Sequence, residues 1–146
     1  PGLASGGAPA ALIVLDAELR ERGRQPVAGI ARDPGLLFAA REAHVVIGVS
    51  ASERVIYRHD VGAGRTLTRQ ALPGAVVAAA QRPRDRSVWL VLGAALWQYD
   101  PTTLVAERVR DLPTPPTGPG LLTWQGDRLF WACKSELREL SLTADP

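Results

Sequence analysis

The feature that most constrains this chain is a repeat of short apolar segments that end in a polar turn residue. The segments ALIVLD, RVIYRHD, ALWQYD and ELRELS can be superimposed without gaps at their ends. Their last residues are spaced by roughly 40–44 positions, which is the period of four-stranded propeller blades. Helical periodicity is poor throughout, so the repeat predicts strands. The last residues of the four segments are Asp16, Asp60, Asp100 and Ser141.

Each repeat contains four segments of different polarity. A small apolar segment comes first, for example Ala75–Gln81, and a nearly continuous apolar run follows, for example Val88–Gly93. The third segment ends at the repeated turn residue, and the fourth is more polar, as in Thr103–Arg110. This order predicts an antiparallel sheet whose inner strands are buried between neighbouring sheets and whose outermost strand faces water.

We therefore predict an all-β fold, a partial β-propeller of about three four-stranded antiparallel blades, in a single segment over residues 1–146. Residues 10–28 supply the last two strands of a blade, and residues 119–143 supply the first three strands of another. Residues 35–73 and 74–114 each supply a complete blade. A piece of this size is smaller than the usual minimum of four blades. Its end faces would be open and apolar, so we expect them to be covered by the remaining blades of a longer chain, or by a second copy in a homo-oligomer that completes the ring.

Two stretches, Ser87–Val109 and Gly120–Leu142, resemble blades of a broad propeller group that includes the NHL, YVTN, quinoprotein-like and streptogramin-lyase-like families. The shared features are an aromatic-rich second strand after a Gly/Asp turn, and a third strand that ends in Asp-Pro-x-Thr. The resemblance implies a binding scaffold in most members, and a lyase, a lactonase or a quinone-dependent dehydrogenase in some. The segment Pro113–Pro119 is rich in proline and is predicted to link two blades.

The composition narrows the possible partners. Hydrophobic residues make up 46% of the 146 residues, charged residues make up 22%, and the net charge is +2. No apolar run approaches the length of a membrane span. Two arginine clusters, Arg20–Arg24 and Arg82–Arg86, are expected in loops or at exposed strand edges, where charge discourages pairing of sheet edges. The sequence therefore argues against a nucleic-acid partner, because such a site needs basic residues gathered on one surface.

No motif in the sequence predicts a catalytic residue, a metal site or a cofactor. The repeated aspartates are interpreted as turn formers, because a carboxylate in this position accepts hydrogen bonds from nearby backbone N–H groups. The stretch Gly48–Ser52 lacks the second glycine of a nucleophile elbow and lies between two predicted strands, whereas the elbow joins a strand to a helix. Cys133 aligns with apolar residues of the other repeats, which predicts a small core side chain.

Three residues are predicted to contact a ligand. His44 opens a second strand, His59 stands beside a repeated aspartate, and Trp124 precedes a hairpin turn, where it is expected to be partly exposed. The most favoured function is a non-catalytic scaffold that binds a protein partner or a small ligand. The alternative is a fragment or subunit of a propeller enzyme of the lyase, lactonase or quinoprotein type.

Overall fold

The computed structural model describes residues 11–112, 120–133 and 136–142, and within these ranges it contains thirteen β-strands and no helix. The predicted linker Pro113–Pro119 lies outside the described residues. The strands are β1 (Ala11–Leu15), β2 (Glu21–Pro26), β3 (Leu36–Ala39), β4 (Val45–Ser50), β5 (Val55–Asp60), β6 (Arg65–Ala71), β7 (Val76–Gln81), β8 (Val88–Leu92), β9 (Ala95–Tyr99), β10 (Ala106–Asp111), β11 (Gly120–Gln125), β12 (Arg128–Cys133) and β13 (Glu136–Leu140).

The strands form four antiparallel sheets in which neighbours along the chain are also neighbours in the sheet. The first sheet is β1–β2, the second is β3–β6, the third is β7–β10 and the last is β11–β13. The second and third sheets have four strands each. The predicted fold class, an all-β partial propeller, is confirmed.

The strand boundaries follow from side-chain polarity and turn chemistry. The third sheet has a fully buried second strand, β8, whose side chains are covered on both faces. Its fourth strand, β10, contains four charged residues, and none of its residues is fully buried. The hairpin signal at Gln125–Asp127 is confirmed, because Gly126 adopts a φ of 61° between β11 and β12. A tight hairpin needs this left-handed conformation, which glycine reaches without steric cost.

The hydrophobic core is divided into three clusters, one for each pair of adjacent sheets. Leu12 and Tyr57 belong to the cluster between the first and second sheets. Ile47 and Leu90 belong to the next cluster, and Trp89 and Leu129 belong to the cluster between the third and last sheets. Each sheet therefore contributes to the core through a face that contacts its neighbour, as blades of a propeller do.

The repeated aspartates form the turns that the sequence predicts. In Asp16, Asp60 and Asp100, one carboxylate oxygen accepts hydrogen bonds from two backbone N–H groups two to four residues further on, at 2.8 to 3.0 Å. These contacts satisfy donors that the turn leaves without backbone partners. The interpretation of the three residues as turn formers is confirmed.

Candidate functional site

The three residues predicted to contact a ligand do not form one site. His44 and His59 lie on the second sheet, and Trp124 lies on β11 of the last sheet, with the third sheet between them. His44 is exposed, His59 is fully buried and Trp124 is half-buried. Their roles as ligand contacts stay predictions, and the surroundings of each residue show what else it does.

His44 ends the turn between β3 and β4 in the left-handed conformation, with a φ of 65°. Histidine is one of the few residues other than glycine that is enriched there. Its carbonyl oxygen accepts a hydrogen bond of 2.7 Å from the N–H of Val61, which ties this turn to the end of β5. The side chain itself extends toward solvent, so a ligand at this edge of the sheet could reach it.

His59 joins the first sheet to the second. Its Nε2 lies 2.9 Å from Oε1 of Gln25 on β2, and its Nδ1 lies 3.1 Å from Oγ1 of Thr66 on β6. Gln25 also donates a hydrogen bond of 2.8 Å from Nε2 to the carbonyl oxygen of Val61. Thr66 Oγ1 accepts a further hydrogen bond of 3.0 Å from the N–H of Ala28. We call His59, Gln25 and Thr66 the polar clamp.

The contacts of the polar clamp select one tautomer of the imidazole. The Gln25 amide directs its N–H toward Val61, so its oxygen faces His59 and Nε2 carries the proton. Nδ1 is then free to accept a hydrogen bond from the Thr66 hydroxyl. Burial lowers the pKa of His59, opposed by a weaker effect of Asp60. A neutral ring satisfies both contacts, so His59 is a structural link between two sheets, and a ligand would have to displace Gln25 or Thr66.

Sequence analysis did not identify Gln25 or Thr66. A partial signal was present, because His59 precedes the repeated turn residue at the position where the other repeats carry Leu15, Tyr99 and Leu140. Tyr99 and Leu140 are buried, whereas Leu15, at the end of the first sheet, is 49% exposed. A histidine at a core position of the repeat requires polar partners from neighbouring strands, since a buried polar group without partners is costly.

Trp124 belongs to an aromatic group between the third and last sheets. Its ring centroid lies 5.1 Å from that of Trp89, and the two planes are inclined by 69°, an edge-to-face arrangement. The Arg82 guanidinium lies 5.0 Å from the Trp89 ring centroid and 5.4 Å from the Trp124 ring centroid. A cation at these distances is attracted by both rings. We call Arg82, Trp89 and Trp124 the aromatic cluster.

Two polar residues hold the aromatic cluster in place. Asp85 accepts hydrogen bonds from Nε and Nη2 of Arg82 at 3.1 and 2.5 Å. Ser87 donates to Asp85 at 2.6 Å and accepts the indole N–H of Trp89 at 2.8 Å. The hydrogen bond from Arg82 and those from Ser87 hold the pKa of Asp85 well below its usual range, against the opposing effect of burial. The carboxylate is therefore ionised and fixes the orientation of the guanidinium.

The two arginine clusters differ in their surroundings. Arg20 and Arg24 are exposed and pair with nearby acidic side chains on the first sheet, as expected for residues at a strand edge. Arg82, in contrast, is buried within the aromatic cluster, which sequence analysis did not predict. Arg86 donates a hydrogen bond of 2.5 Å to the carbonyl oxygen of Ala40 on the second sheet. The second cluster thus contributes to packing between sheets.

The outer face of the last sheet, which is turned away from the third sheet, carries large apolar side chains. Leu121, Ala132 and Leu137 lie opposite one another on β11, β12 and β13. The side chains of Leu121 and Leu137 are 73% and 70% exposed. In the next row Phe130 lies under the guanidinium of Arg128, which pairs with Glu139 at 2.7 Å. We call this surface the outer face.

Among the residues that the structure describes, no group of three or more His, Cys, Asp or Glu side chains is arranged to hold a metal ion. The same residues contain no helix of the length and hydropathy that crossing a membrane requires.

Comparison with known proteins identifies the fold and nothing finer. No family model and no curated protein matches the sequence. A chain in a crystal structure of the mitotic checkpoint complex is similar, with a TM-score of 0.62 and 12% identity over 92% of this chain and 43% of that chain. A putative exported protein from Bacteroides fragilis is similar with a TM-score of 0.57 and 12% identity, over 92% of this chain and 46% of that chain. The chain therefore spans less than half the length of either solved chain.

Proposed function

We propose that this chain is a non-catalytic propeller scaffold that binds a protein partner through the outer face. The observation that carries the proposal is the exposure of Leu121 and Leu137 in one row of the last sheet, at 73% and 70%. Exposed apolar patches on otherwise polar surfaces mark sites of protein contact. Scattered single leucines would carry no such meaning, but these two flank Ala132 across three paired strands.

The chemistry of the outer face favours another sheet as the binding surface of the partner. The opposite face of the last sheet contributes Leu122, Leu129 and Leu140 to the core shared with the third sheet. On the outer face, the row Leu121, Ala132 and Leu137 is also apolar, so this part of the face is suited to the same kind of sheet-on-sheet contact. The Arg128–Glu139 pair at its border would form the polar rim that protein interfaces usually have.

The partner surface could come from further blades or from a second copy of this chain. We propose that residues 1–146 form one propeller segment, with residues 10–28 as the last two strands of a blade and residues 119–143 as the first three of another. The similarity to two solved chains of more than twice the matched length supports this proposal. We also propose that the chain belongs to the NHL, YVTN, quinoprotein-like and streptogramin-lyase-like group, on the resemblance of Ser87–Val109 and Gly120–Leu142.

A non-catalytic role is supported by the contacts of one histidine and four aspartates, whose side chains hold the structure together. His59 has both ring nitrogens engaged in the polar clamp, and Asp85 is ionised beneath Arg82. Asp16, Asp60 and Asp100 hold turns. Because a general acid or base must reach a substrate proton, groups held in this way are poor candidates for catalysis.

The test is the native mass of the chain, measured by light scattering after size exclusion over a range of protein concentrations. We expect the wild-type chain to self-associate, because the outer face has no cover within the described residues. Leu121→Glu combined with Leu137→Glu should abolish self-association, since it places two carboxylates in the contact. Leu19→Glu is the matched control, because Leu19 is 77% exposed but lies in the turn between β1 and β2.

The control variant should self-associate as the wild type does. A wild-type chain that stays monomeric at every concentration would contradict self-association through the outer face. Equal loss of association in Leu19→Glu and in the double variant would show that general surface charge is responsible, and it would also count against the outer face. Circular dichroism of each variant confirms that the sheet content is retained.

A further inference from the structure

A cavity of about 250 Å³ lies at one edge of the third sheet. The β7–β8 and β9–β10 turns both contribute to its wall, because alternate turns of an antiparallel sheet lie at the same edge. One side chain, Arg41, reaches it from the second sheet. The residues that matter for its chemistry are Arg41, Gln98, Asp100, Pro101, Val105 and Glu107.

Two polar side chains of this cavity have no hydrogen-bond partner among the described residues. Gln98 and Glu107 lie directly opposite each other on β9 and β10, in register with Trp89 on β8, so they share one face of the sheet. Neither the Gln98 amide nor the Glu107 carboxylate forms a hydrogen bond with any of the residues that the structure describes. Gln98 is half-buried, and an amide in that environment is more stable when a partner satisfies it.

The other charged groups at the cavity already have partners. Asp100 caps its turn through the N–H groups of Thr102 and Thr103. Arg41 donates from Nε to the carbonyl oxygen of Asp85 at 3.2 Å. The N–H of Thr103, and more weakly the charge of Arg41, lower the pKa of Asp100. The carboxylate of Glu107 is therefore the acceptor whose charge no described cation balances.

We propose that this cavity binds the cationic end of a side chain, a guanidinium or an ammonium group, that belongs to a protein partner. The proposal rests on the proposed scaffold function and adds a second contact point to it. Glu107 would accept a charge-assisted hydrogen bond, and the oxygen of Gln98 would accept a second one. Pro101 and Val105 supply an apolar wall, against which the methylene groups of an arginine or lysine side chain can lie.

The geometry explains why a cation is preferred to an anion. The three carboxylates at the cavity wall, those of Asp85, Asp100 and Glu107, outnumber the single guanidinium of Arg41. Asp85 is balanced by Arg82 from outside the cavity, which leaves a net negative charge. An incoming carboxylate would meet this charge, whereas an incoming guanidinium matches both the charge and the acceptors.

The experiment is a titration of the full chain, followed by two-dimensional NMR of the backbone amides. The probes are Nα-acetyl-arginine amide, Nα-acetyl-lysine amide and the uncharged isostere Nα-acetyl-citrulline amide. We expect saturable shifts of the amides of Gln98, Val105 and Glu107 with at least one of the two cations. Glu107→Gln should weaken that binding roughly ten-fold, as loss of a hydrogen bond to a charged group would. Glu18→Gln, at an exposed carboxylate in the turn between β1 and β2, should leave it unchanged.

Comparison of the arginine and lysine probes identifies which cation is preferred, and either preference supports the proposal. Equal shifts with citrulline would overturn it, because the charge would then play no part. Unchanged binding in Glu107→Gln would also overturn it. The self-association of the chain through Leu121 and Leu137 is measured separately. If the cavity does not bind cations, the proposed function still stands. If the chain does not self-associate, cation binding by the cavity is still decided by its own titration.

Discussion

The first and the third contacts between sheets each bury an apolar cluster, which is larger at the third contact, and the two contacts are fixed by different chemistry. Between the first and second sheets, the polar clamp joins His59 to Gln25 and Thr66 by directed hydrogen bonds. Between the third and last sheets, the aromatic cluster joins Arg82 to two indole rings. Hydrogen bonds set register and depend on protonation, whereas aromatic contacts depend mainly on shape and buried area. One repeat can therefore give contacts that respond differently to mutation and to pH.

The largest expected effect is at the aromatic cluster. Trp89→Ala removes a ring that is 2% exposed, takes from Arg82 one of its two aromatic contacts, and leaves the Ser87 hydroxyl without the indole donor. We expect a loss of about 3–5 kcal/mol in the free energy of unfolding, measured by urea denaturation. Trp89→Phe is the control, because it keeps an aromatic ring and loses mainly the hydrogen bond to Ser87. It should cost clearly less, and an equal cost for the two variants would show that shape does not dominate this contact.

The next effect tests the packing beside the polar clamp. Gly48 lies opposite Tyr57 in register, and a Cβ at this position would lie 2.0 Å from Cζ of Tyr57. Gly48→Ala should therefore displace the ring and break the hydrogen bond from Tyr57 to the carbonyl oxygen of Pro34, costing about 1–3 kcal/mol. Gly23→Ala on β2 has no atom within 4 Å of the new Cβ and should have little effect. Equal unfolding midpoints for the two variants would contradict the close approach.

The polar clamp should contribute less to the free energy of unfolding than the aromatic cluster does. His59→Phe keeps a buried ring but leaves the oxygen of Gln25 and the hydroxyl of Thr66 without that partner. The expected cost is about 1–3 kcal/mol in the free energy of unfolding. Adding Gln25→Leu to His59→Phe should then cost less than the same change in the wild type, since the two residues interact. Strict additivity in this double-mutant cycle would argue against the clamp.

The smallest expected effect is on the pH dependence. Because burial lowers the pKa of His59 in the folded chain, the unfolded chain binds more protons than the folded chain at pH values near these two pKa values. The stabilisation is complete above the unfolded pKa of about 6.5 and is lost as the pH falls through that value toward the lower folded pKa. Urea midpoints of the wild type should fall over this range by more than those of His59→Phe. Trp89→Phe should keep the dependence of the wild type, and a dependence that persists in His59→Phe would exclude the clamp as its cause.

The sequence predicted the order of the strands better than the contacts between sheets. The repeated Asp16, Asp60 and Asp100 marked their turns correctly, because a carboxylate acts on backbone groups a few residues away. The alternation of buried and polar segments likewise predicted β8 as a central strand and β10 as an outer one. These signals act between residues that are close in sequence, and such signals can be recognised in a single sequence.

The contacts between sheets depend on residues that are distant in sequence. His59 and Gln25 are 34 positions apart, and Arg82 and Trp124 are brought together only by packing of the third sheet on the last. The aligned core position of His59 could have indicated a need for polar partners, but not which residues supply them. Nothing in the sequence around Arg82 distinguished it from the exposed arginines of the same turn. The ligand-contacting roles of His44, His59 and Trp124 stay predictions.

The most direct test of the outer face as a contact surface is hydrogen exchange of the backbone amides, read by mass spectrometry at low and at high protein concentration. The account predicts that peptides covering β11–β13 become more protected as the concentration rises, because the outer face is then covered. Peptides covering β4, β5, β8 and β9 should be protected equally at both concentrations, since these strands are buried within one chain. Protection of β11–β13 that does not change with concentration, in a chain whose β4–β9 peptides behave as expected, would contradict the central claim.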